Sequence, residues 1–597
     1  MKKYINIYLF LLLLLTSSLV ASTQKNSLVL AEKLELSKKS YWSKLLHYED
    51  NKSIINNKEF FLSPNGKINL KDELKKTIEY FYENPNATCK YPARYKWLSH
   101  YLNLEVDTHS TCKELSKFLE PDFTKMSVIF TSERYNSPSS VFGHTFLKVE
   151  SKTIPYAINY SAVVSSGTNP FSYIFKGAAG GFESHYELLS YDMKDFEYRK
   201  EEFRDLVSFE ISYSKDEINN IMLHMYEIKN TDEDYYFMSR NCSSELLKLI
   251  DMGRYNSNIR GDLDSITIPI DVVYILDENN LINDISKKYS KLKLFNKQIE
   301  NLTSEEKKVL HQIIERKISI ASFDKTVTNQ KSKSSILLAA LGYIEMNLMT
   351  KKLGREYTSS LIALIQLKHK YEIQEKIAKD IKLSKIPISN KYHKVTLGSR
   401  NISDKKTEVN LGYRYLYTNR FDLLGDEEKH GSVEFLDLSL KYVDNKISVN
   451  NFTFLNLESM PISNDFFTQH TTNIKMGMKR LFYDDKLYTY VEYALGYRFK
   501  INKNFTYYGA IRTGAYYHNH DVYMASIETA LEYNINNKFV SALKYEASKY
   551  SASMDAYNLY LQSYYKLTES SSIELLLSHK NDIRNYDEMK INYNFYF

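Results

Sequence analysis

The C-terminal stretch Met589-Lys590-Ile591-Asn592-Tyr593-Asn594-Phe595-Tyr596-Phe597 alternates between two kinds of residue. Its odd-numbered positions are apolar or aromatic, and most of its even-numbered positions are polar. A period of two puts each kind of side chain on its own face of a β-strand. An apolar outer face is what a lipid-facing strand of a transmembrane β-barrel requires, although a short soluble strand has the same pattern.

The same alternation recurs along the preceding two hundred residues. It is clear in Val409–Tyr417, in Val491–Phe499 and in Tyr523–Ile535. About twelve such segments lie between Tyr392 and Phe597, joined by turn clusters such as Asp444-Asn445-Lys446. An even number of segments, each about ten residues long, predicts a transmembrane antiparallel β-barrel of about 12 strands. A soluble all-β sandwich is the alternative.

Composition and charge agree with a barrel linked to other domains. The chain has 597 residues, too many for one core, and its 51 tyrosines suit the aromatic girdles of a bilayer-spanning barrel. No segment after residue 22 is long and apolar enough for a transmembrane helix. The net charge of +6 is spread along the chain without a basic arm, so we expect no nucleic-acid partner.

Both ends of the chain indicate export. Lys2 and Lys3, the apolar run Tyr8–Leu15 and the small residues that follow predict a secretory signal peptide over residues 1–22. The terminal Phe597 is similar to the assembly signal of bacterial outer-membrane proteins, so the barrel-assembly machinery is an expected partner during biogenesis. We therefore expect the protein in the outer membrane of a Gram-negative bacterium, with its N-terminal part in the periplasm.

Three cysteines remain in an oxidising compartment. Cys89 and Cys112 are separated by 23 positions and are predicted to form a disulfide, which leaves Cys242 as the lone thiol. Strand patterns replace helical ones near residue 126, helices capped by Ser214 and Asn241 follow, and long amphipathic helices are predicted after residue 255. The predicted parts are a signal peptide 1–22, an N-terminal helical region 23–125, a catalytic domain 126–255, a helical connector 256–390 and a β-barrel 391–597.

Cys242 and His144 are the candidate catalytic pair. Asn241 is expected to cap an amphipathic helix, which would put Cys242 in its first turn. The partial positive charge and free N–H groups there favour a thiolate and suit an oxyanion on an attacked acyl carbon. His144, on a strand after Gly143, is placed to take the thiol proton. The alternatives are a small buried hydrophobic residue for Cys242 and an ordinary strand histidine for His144.

Several motifs around this pair resemble the Lnb N-terminal periplasmic domain family. They are Ser139–Lys148, Ile158-Asn159-Tyr160, the loop Lys176–Phe182, Tyr235-Tyr236-Phe237 leading to Asn241-Cys242, and Cys89–Arg94 upstream. The resemblance covers roughly residues 30–255. It implies an α+β, circularly permuted papain-like domain in which the histidine strand precedes the cysteine helix. It also implies acyl transfer through a thioester, since Lnb proteins are implicated in N-acylation of lipoproteins.

Further residues are expected to complete the site. Asn159, on the strand after His144, is the predicted third catalytic residue that orients the imidazole, with His185 as the runner-up. No metal or other cofactor is expected. The glycines among these candidates have an alternative role in tight backbone turns. The predicted substrate-binding residues are Ser140, Lys176, Gly180, Gly181, His185 and Asn241.

Three functions remain open from the sequence. The leading one is a periplasmic thiol acyltransferase, tethered by its own barrel, with membrane lipids or lipoproteins as partners. The second is a cysteine hydrolase, either a peptidase or an amidase, that acts on cell-wall peptides, since the same pair of residues serves both reactions. The third is a non-enzymatic barrel used for transport or adhesion, which would need an open lumen.

Overall fold

The computed structural model divides into two compact units, residues 1–132 with 142–384 and residues 133–141 with 385–597. The predicted signal peptide lies outside the described residues. None of the described helices is long and apolar enough to cross a membrane. The structure describes residues 23–84, 86–104, 112–135, 142–165, 172, 176–177, 179–262, 266–350, 352–373, 381–384, 386, 392–416, 419–422, 430–483, 485–536, 538–551 and 554–597.

The first unit contains a two-stranded hairpin and a large antiparallel sheet. The hairpin pairs β1 (Tyr48–Glu49) with β2 (Lys52–Ser53). The sheet strands are β3 (Lys125–Thr131), β4 (His144–Glu150), β5 (Tyr156–Ala162), β6 (Phe182–Ser190), β7 (Leu206–Ile211), β8 (Glu233–Tyr235), β9 (Ile282–Lys288) and β10 (Ile381–Leu383). Their spatial order is β10-β9-β7-β3-β4-β5-β6-β8, so the strands of the predicted catalytic domain lie side by side.

Helices pack around this sheet, so the predicted α+β class is confirmed, while the papain-like permutation stays a prediction. Ser214 and Thr303 each begin a helix with a capping box, which explains where those helices start. The helices are 23–33, Ser40–Leu45, Leu70–Glu83, Ala87–Lys90, Pro92–Tyr101, Lys113–Leu119, Tyr191–Phe196, Lys215–Ile228, Cys242–Asp251, Asp271–Glu278, Lys291–Glu300, Ser304–Ile314, Ile320–Thr326, Gln330–Met349 and Thr358–Lys370.

Two further predictions concern the cysteines and the segment 256–390. The disulfide between Cys89 and Cys112 is present, with the two Cα atoms 5.2 Å apart, and Cys242 is a free, buried thiol.

The predicted helical connector is mostly helical, but it also supplies β9 and β10 to the sheet. These strands pair with residues distant in sequence, so local periodicity alone did not reveal them.

The second unit is a closed barrel of twelve antiparallel strands, as predicted. β11 pairs with both β12 and β22, which closes the barrel without a free edge. The strands are β11 (Lys394–Ile402), β12 (Glu408–Leu416), β13 (Gly431–Val443), β14 (Lys446–Ser459), β15 (His470–Arg480), β16 (Leu487–Lys500), β17 (Phe505–Tyr517), β18 (Asp521–Asn536), β19 (Phe539–Tyr550), β20 (Met554–Thr568), β21 (Ser571–Asn581) and β22 (Asn585–Tyr596).

The barrel exposes apolar side chains outward and buries polar ones inside. On β16, Val491 and Leu495 are 53 % and 45 % exposed, whereas Glu492 and Arg498 are each 4 % exposed. The same alternation along β18 and β22 follows from the period of two of a strand. An apolar exterior around a polar interior is the arrangement of a β-barrel that crosses a lipid bilayer.

Residues 419–422, after β12, fold into the barrel lumen and form a strap there. The Arg420 guanidinium is the main anchor of this strap. Its Nε donates to Glu458 Oε2 of β14 at 3.0 Å, and its Nη1 lies 2.5 Å from Glu532 Oε1 of β18. One side chain thereby links strands on different parts of the barrel wall.

The rest of the strap reaches further strands. The Phe421 ring stacks on Tyr564 of β20, with ring centroids 5.5 Å apart. Asp422 accepts hydrogen bonds from Arg414 of β12 at 2.7 Å and from the Tyr596 hydroxyl of β22 at 2.8 Å. The bonded side chains therefore fill lumen space that an aqueous channel would need.

We predict that this strap keeps the barrel from conducting ions freely. Full-length protein in planar bilayers is expected to give little steady conductance. Arg420→Ala, which removes the links to Glu458 and Glu532, is expected to raise conductance several-fold. The exposed turn residue Lys538 gives a matched control, because Lys538→Ala leaves the lumen unchanged. Large, steady wild-type channels would contradict the prediction and favour a transport role.

Candidate active site

Cys242 is the first residue of the helix Cys242–Asp251 and is only 4 % exposed. The Asn241 side chain caps this helix: its Oδ1 accepts from the N–H groups of Ser243 at 2.9 Å and Ser244 at 3.3 Å. Its Nδ2 donates to two backbone carbonyls. The cap thus uses two of the N–H groups expected to face an oxyanion. Among the described residues, none accepts a hydrogen bond from the Cys242 N–H, so this N–H is the one left to face an oxyanion.

His144 is the first residue of β4, and the backbone of Gly143 sets its position. Gly143 has a φ of 85°, and a Cβ there would lie 2.8 Å from both the Phe130 ring and the Thr131 carbonyl oxygen. Glycine is therefore the residue that fits. The Tyr198 ring packs against the imidazole with a centroid distance of 5.8 Å. These contacts hold the imidazole in one place on the sheet.

The imidazole bridges Asn159 and Cys242. His144 Nε2 donates to Asn159 Oδ1 at 2.9 Å, which leaves Nδ1 for the hydrogen bond with the Cys242 thiol. The helix Cys242–Asp251 packs on β4 and β5, the strands that carry His144 and Asn159. Helix packing therefore brings together three residues that are distant in sequence.

The pKa values of the pair shift in opposite directions. Burial raises the pKa of the Cys242 thiol, but the charge and hydrogen bond of His144, with a smaller contribution from Thr145, outweigh burial and lower it to about 7. Burial lowers the pKa of His144, but the charge and hydrogen bond of Cys242, with the Asn159 hydrogen bond, raise it above its usual value. Each charged form stabilises the other, as in a thiolate–imidazolium pair.

Asn159 is 2 % exposed and has a second partner on the neighbouring strand. Its Nδ2 donates to Glu187 Oε2 of β6 at 3.1 Å. His185, the runner-up for the third residue, instead places its Nε2 3.6 Å from Glu187 Oε1. Among the described contacts, none joins His185 to His144. The geometry therefore places Asn159, rather than His185, beside the imidazole.

Three of the remaining candidates, Lys176, Gly180 and Gly181, lie in a turn that packs against Tyr236. Lys176 is exposed, and its carbonyl accepts from the Gly181 N–H at 2.8 Å. Gly180 has a φ of 76°, and a Cβ there would lie 2.2 Å from the Tyr236 ring. The glycines thus have a packing role, and their part in substrate binding stays a prediction. Ser140 lies outside the described residues.

Three residues of the site were not predicted. Thr145 helps to lower the pKa of the thiol, Tyr198 covers the imidazole and Glu187 holds Asn159. Glu187 lies two positions after His185, so strand alternation puts both on one face, a signal that was available. Tyr198 lies in a single π-helical turn, 197–201. The local sequence there did not predict its contact with the His144 imidazole.

A buried polar network lies one turn further along the Cys242 helix. One ligand atom each of His47, Glu233 and Glu245 lies within 4.8 Å of the others. His47 Nδ1 is already bonded to Glu233 at 2.6 Å, and the Lys248 ammonium lies 2.7 Å from Glu245. A cation would have to sit against this ammonium, so we assign the cluster as an ion-pair network that supports the helix.

Family models match three parts of the chain. Residues 120–279 match the Lnb N-terminal periplasmic domain. Residues 34–101 match a domain of unknown function (DUF7843), and residues 389–596 match another domain of unknown function (DUF7840). No curated protein sequence matches the chain significantly.

Several solved structures are similar to about a third of the chain. OmpTdeltaL8, a loop deletion mutant of OmpT from Vibrio cholerae, has 9 % identity over 35 % of this chain and 98 % of its own, with a TM-score of 0.20. The KdgM porin in complex with disordered oligogalacturonate has 11 % identity, coverages of 34 % and 99 %, and a TM-score of 0.23. The channel DcaP of Acinetobacter baumannii has 8 % identity, coverages of 35 % and 96 %, and a TM-score of 0.20.

The closed barrel with its apolar exterior places this chain in the class of outer-membrane β-barrel proteins. The part before the barrel contains an Lnb N-terminal periplasmic domain. Cys242, His144 and Asn159 all lie within the matched residues 120–279. The protein therefore belongs in the bacterial outer membrane, with its Lnb domain in the periplasm.

Proposed function

We propose that the protein is an outer-membrane-anchored cysteine acyltransferase that moves acyl chains from lipids or lipoproteins through a thioester on Cys242. The observation that carries the proposal is the bonded series Cys242, His144 and Asn159. A buried thiol whose pKa is lowered to about 7 is a nucleophile at neutral pH. In this proposal Cys242 and His144 are the catalytic residues, and Asn159 orients the imidazole.

In the first half-reaction, the Cys242 thiolate attacks the carbonyl carbon of an acyl ester. The carbonyl oxygen becomes an oxyanion beside the Cys242 N–H, the N–H that remains after the Asn241 cap is formed. The C–O bond of the ester then breaks, and the leaving alkoxide takes the proton of the His144 imidazolium. The products are a thioester on Cys242 and a free alcohol.

In the second half-reaction, an amine of the acceptor attacks the thioester carbonyl. His144 takes the amine proton, the C–S bond breaks and the thiolate is regenerated beside the imidazolium. Asn159 Oδ1 keeps the imidazole aligned by accepting from Nε2 throughout. The Lnb family match and the membrane barrel support a lipid or lipoprotein as the acyl donor.

Intact-mass analysis tests the proposal. Full-length protein incubated with phospholipid is expected to gain the mass of one acyl chain, which neutral hydroxylamine removes. The Cys89–Cys112 disulfide leaves Cys242 as the free thiol, so the adduct has one expected location. Cys242→Ala is expected to carry no adduct, and Glu183→Gln, an exposed residue on β6, is expected to behave as wild type.

The acceptor is tested with two substrates. A diacylglyceryl lipopeptide with a free α-amine is expected to gain one acyl chain in the presence of wild-type protein and phospholipid. Wild type that never carries an acyl adduct, or Cys242→Ala that transfers normally, would overturn the acyl-transfer proposal. Cleavage of a muropeptide without any lipid-derived adduct would assign the same residues to a hydrolase.

A further inference from the structure

We propose that Glu187 is a positioning residue that holds the Asn159 amide with its oxygen toward His144. Glu187 is assigned no role by the motifs around Cys242. The inference rests on the proposed thiol chemistry of Cys242, but it does not depend on the substrate. Its test reads the thiol directly, so its failure is distinguishable from a failure of acyl transfer.

Strand register places Glu187 opposite Asn159. The two residues are directly paired on the antiparallel neighbours β5 and β6. Paired side chains on one face of such strands are within reach of each other. The sheet thus holds the two groups in place, and the bond from Asn159 Nδ2 to Glu187 Oε2 is 3.1 Å long.

The orientation of the Asn159 amide decides whether it helps His144. His144 uses Nδ1 as the acceptor for the thiol proton, so Nε2 carries hydrogen and needs an acceptor. Asn159 offers an acceptor only if Oδ1, and not Nδ2, faces Nε2. The amide can otherwise turn over about its last torsion angle, because its two ends have nearly the same size.

Glu187 removes this ambiguity because an ionised carboxylate only accepts hydrogen bonds. It can bond Nδ2 of Asn159 but would repel Oδ1. Its second oxygen lies 3.6 Å from His185 Nε2, so the two carboxylate oxygens have separate partners. The polar series therefore runs from Cys242 through His144 and Asn159 to Glu187.

Loss of Glu187 is expected to make the protonated form of His144 less stable, but His144 can still be protonated. A turned amide would face the His144 N–H with its own N–H groups, and the bond to Oδ1 would be lost. Partial loss of this hydrogen bond to a charged group is expected to raise the apparent pKa of the Cys242 thiol by about half a unit to one unit.

The experiment measures the rate of Cys242 alkylation by iodoacetamide against pH in the full-length protein. Glu187→Ala is expected to move the midpoint upward by about half a unit to one unit. Glu187→Gln is expected to give a smaller upward shift than Glu187→Ala, because its amide can still accept from Nδ2 but can also turn and donate to Oδ1. Glu183→Ala is the matched control, since Glu183 is exposed on the same strand and face.

A double variant separates positioning from a direct effect of charge. If Glu187 acts through Asn159, then Glu187→Ala adds nothing to the midpoint shift of Asn159→Ala. A folded Glu187→Ala protein with an unshifted midpoint would overturn the inference. So would a shift that persists in full in the Asn159→Ala background, because the carboxylate would then act on the imidazole directly.

Discussion

His144→Ala is expected to raise the pH midpoint of Cys242 alkylation by about 1.5 units or more. Burial raises the pKa of the thiol, and the charge of His144 is the largest opposing cause. Without the imidazole, burial remains and the pKa moves to or above the usual cysteine value. The thiolate fraction at pH 7 then falls from about one half to a few per cent or less, a loss of about tenfold or more in rate.

The alkylation profile is measured with the full-length protein, as a rate against pH for each variant. In wild type the rate is expected to rise through pH about 7, because the thiol deprotonates above its lowered pKa. His144→Asn keeps a polar side chain but no ionisable ring, and is expected to behave like His144→Ala. His369→Ala, an exposed residue on another helix, is the control. Equal midpoints for wild type and His144→Ala would contradict the assigned pair.

Arg94→Met is expected to lower the free energy of unfolding of the first unit by about 3–5 kcal/mol. The buried Arg94 side chain lies 2.9 Å from Glu73 and 3.3 Å from Glu227, and its guanidinium carbon is 4.4 Å from the centroids of the Phe60 and Tyr91 rings. Methionine fills part of the space but leaves two buried carboxylates without their cation. Arg94→Met with Glu227→Gln is expected to recover part of the loss.

The loss of unfolding free energy in Arg94→Met is expected to be larger at high pH. Burial already raises the pKa of Glu227 to about 7, even though Arg94 lowers it, and losing Arg94 raises it further. A carboxyl whose pKa is raised in the folded state destabilises the fold as pH rises from its unfolded pKa towards its folded pKa. The deficit should therefore stay nearly constant between pH 4.5 and about 7, where Glu227 is protonated in both folded proteins, and should grow above pH 7, where only the wild-type carboxyl ionises beside Arg94.

Tryptophan fluorescence during urea unfolding measures this stability in the intact chain. The sequence contains two tryptophans, Trp42 and Trp97, which are fully buried and stacked with centroids 5.6 Å apart. Both lie in the first unit, so their emission reports on that unit and not on the barrel. Lys76→Met, at an exposed ion pair with Glu79, is the control and should change stability by less than about 0.5 kcal/mol. An Arg94→Met protein as stable as this control would contradict the prediction.

The barrel was predictable because each of its strands carries the pattern locally. Alternate side chains of Val491–Phe499 face the apolar exterior and the polar lumen. The resulting period of two is visible in this one strand, before its partner strands are known. β9 and β10 show the opposite case. They pair in the first unit's sheet with residues distant in sequence, and their short stretches carry no comparable alternation.

The candidate site divides in the same way. Motifs pointed to Cys242 and His144, and the position after β4 pointed to Asn159, while the motifs assigned no role to Glu187. Its contact with Asn159 requires the register of β5 against β6, which two separate strands do not specify until they pair. The lumen strap is similar, since Arg420 meets Glu458 and Glu532 only when the barrel has closed.

Short-range periodicity and cap residues were therefore enough to predict the barrel and the start of the Cys242 helix, while the resemblance of its motifs pointed to the candidate site residues. Those signals arise from neighbours along the chain, where strand and helix geometry is set. The tertiary structure decided which nitrogen of His144 meets Asn159, which carboxylate holds that amide, and how far the thiol pKa falls. These properties depend on distances between strands and helices that are remote in sequence, and on burial that arises only when they pack.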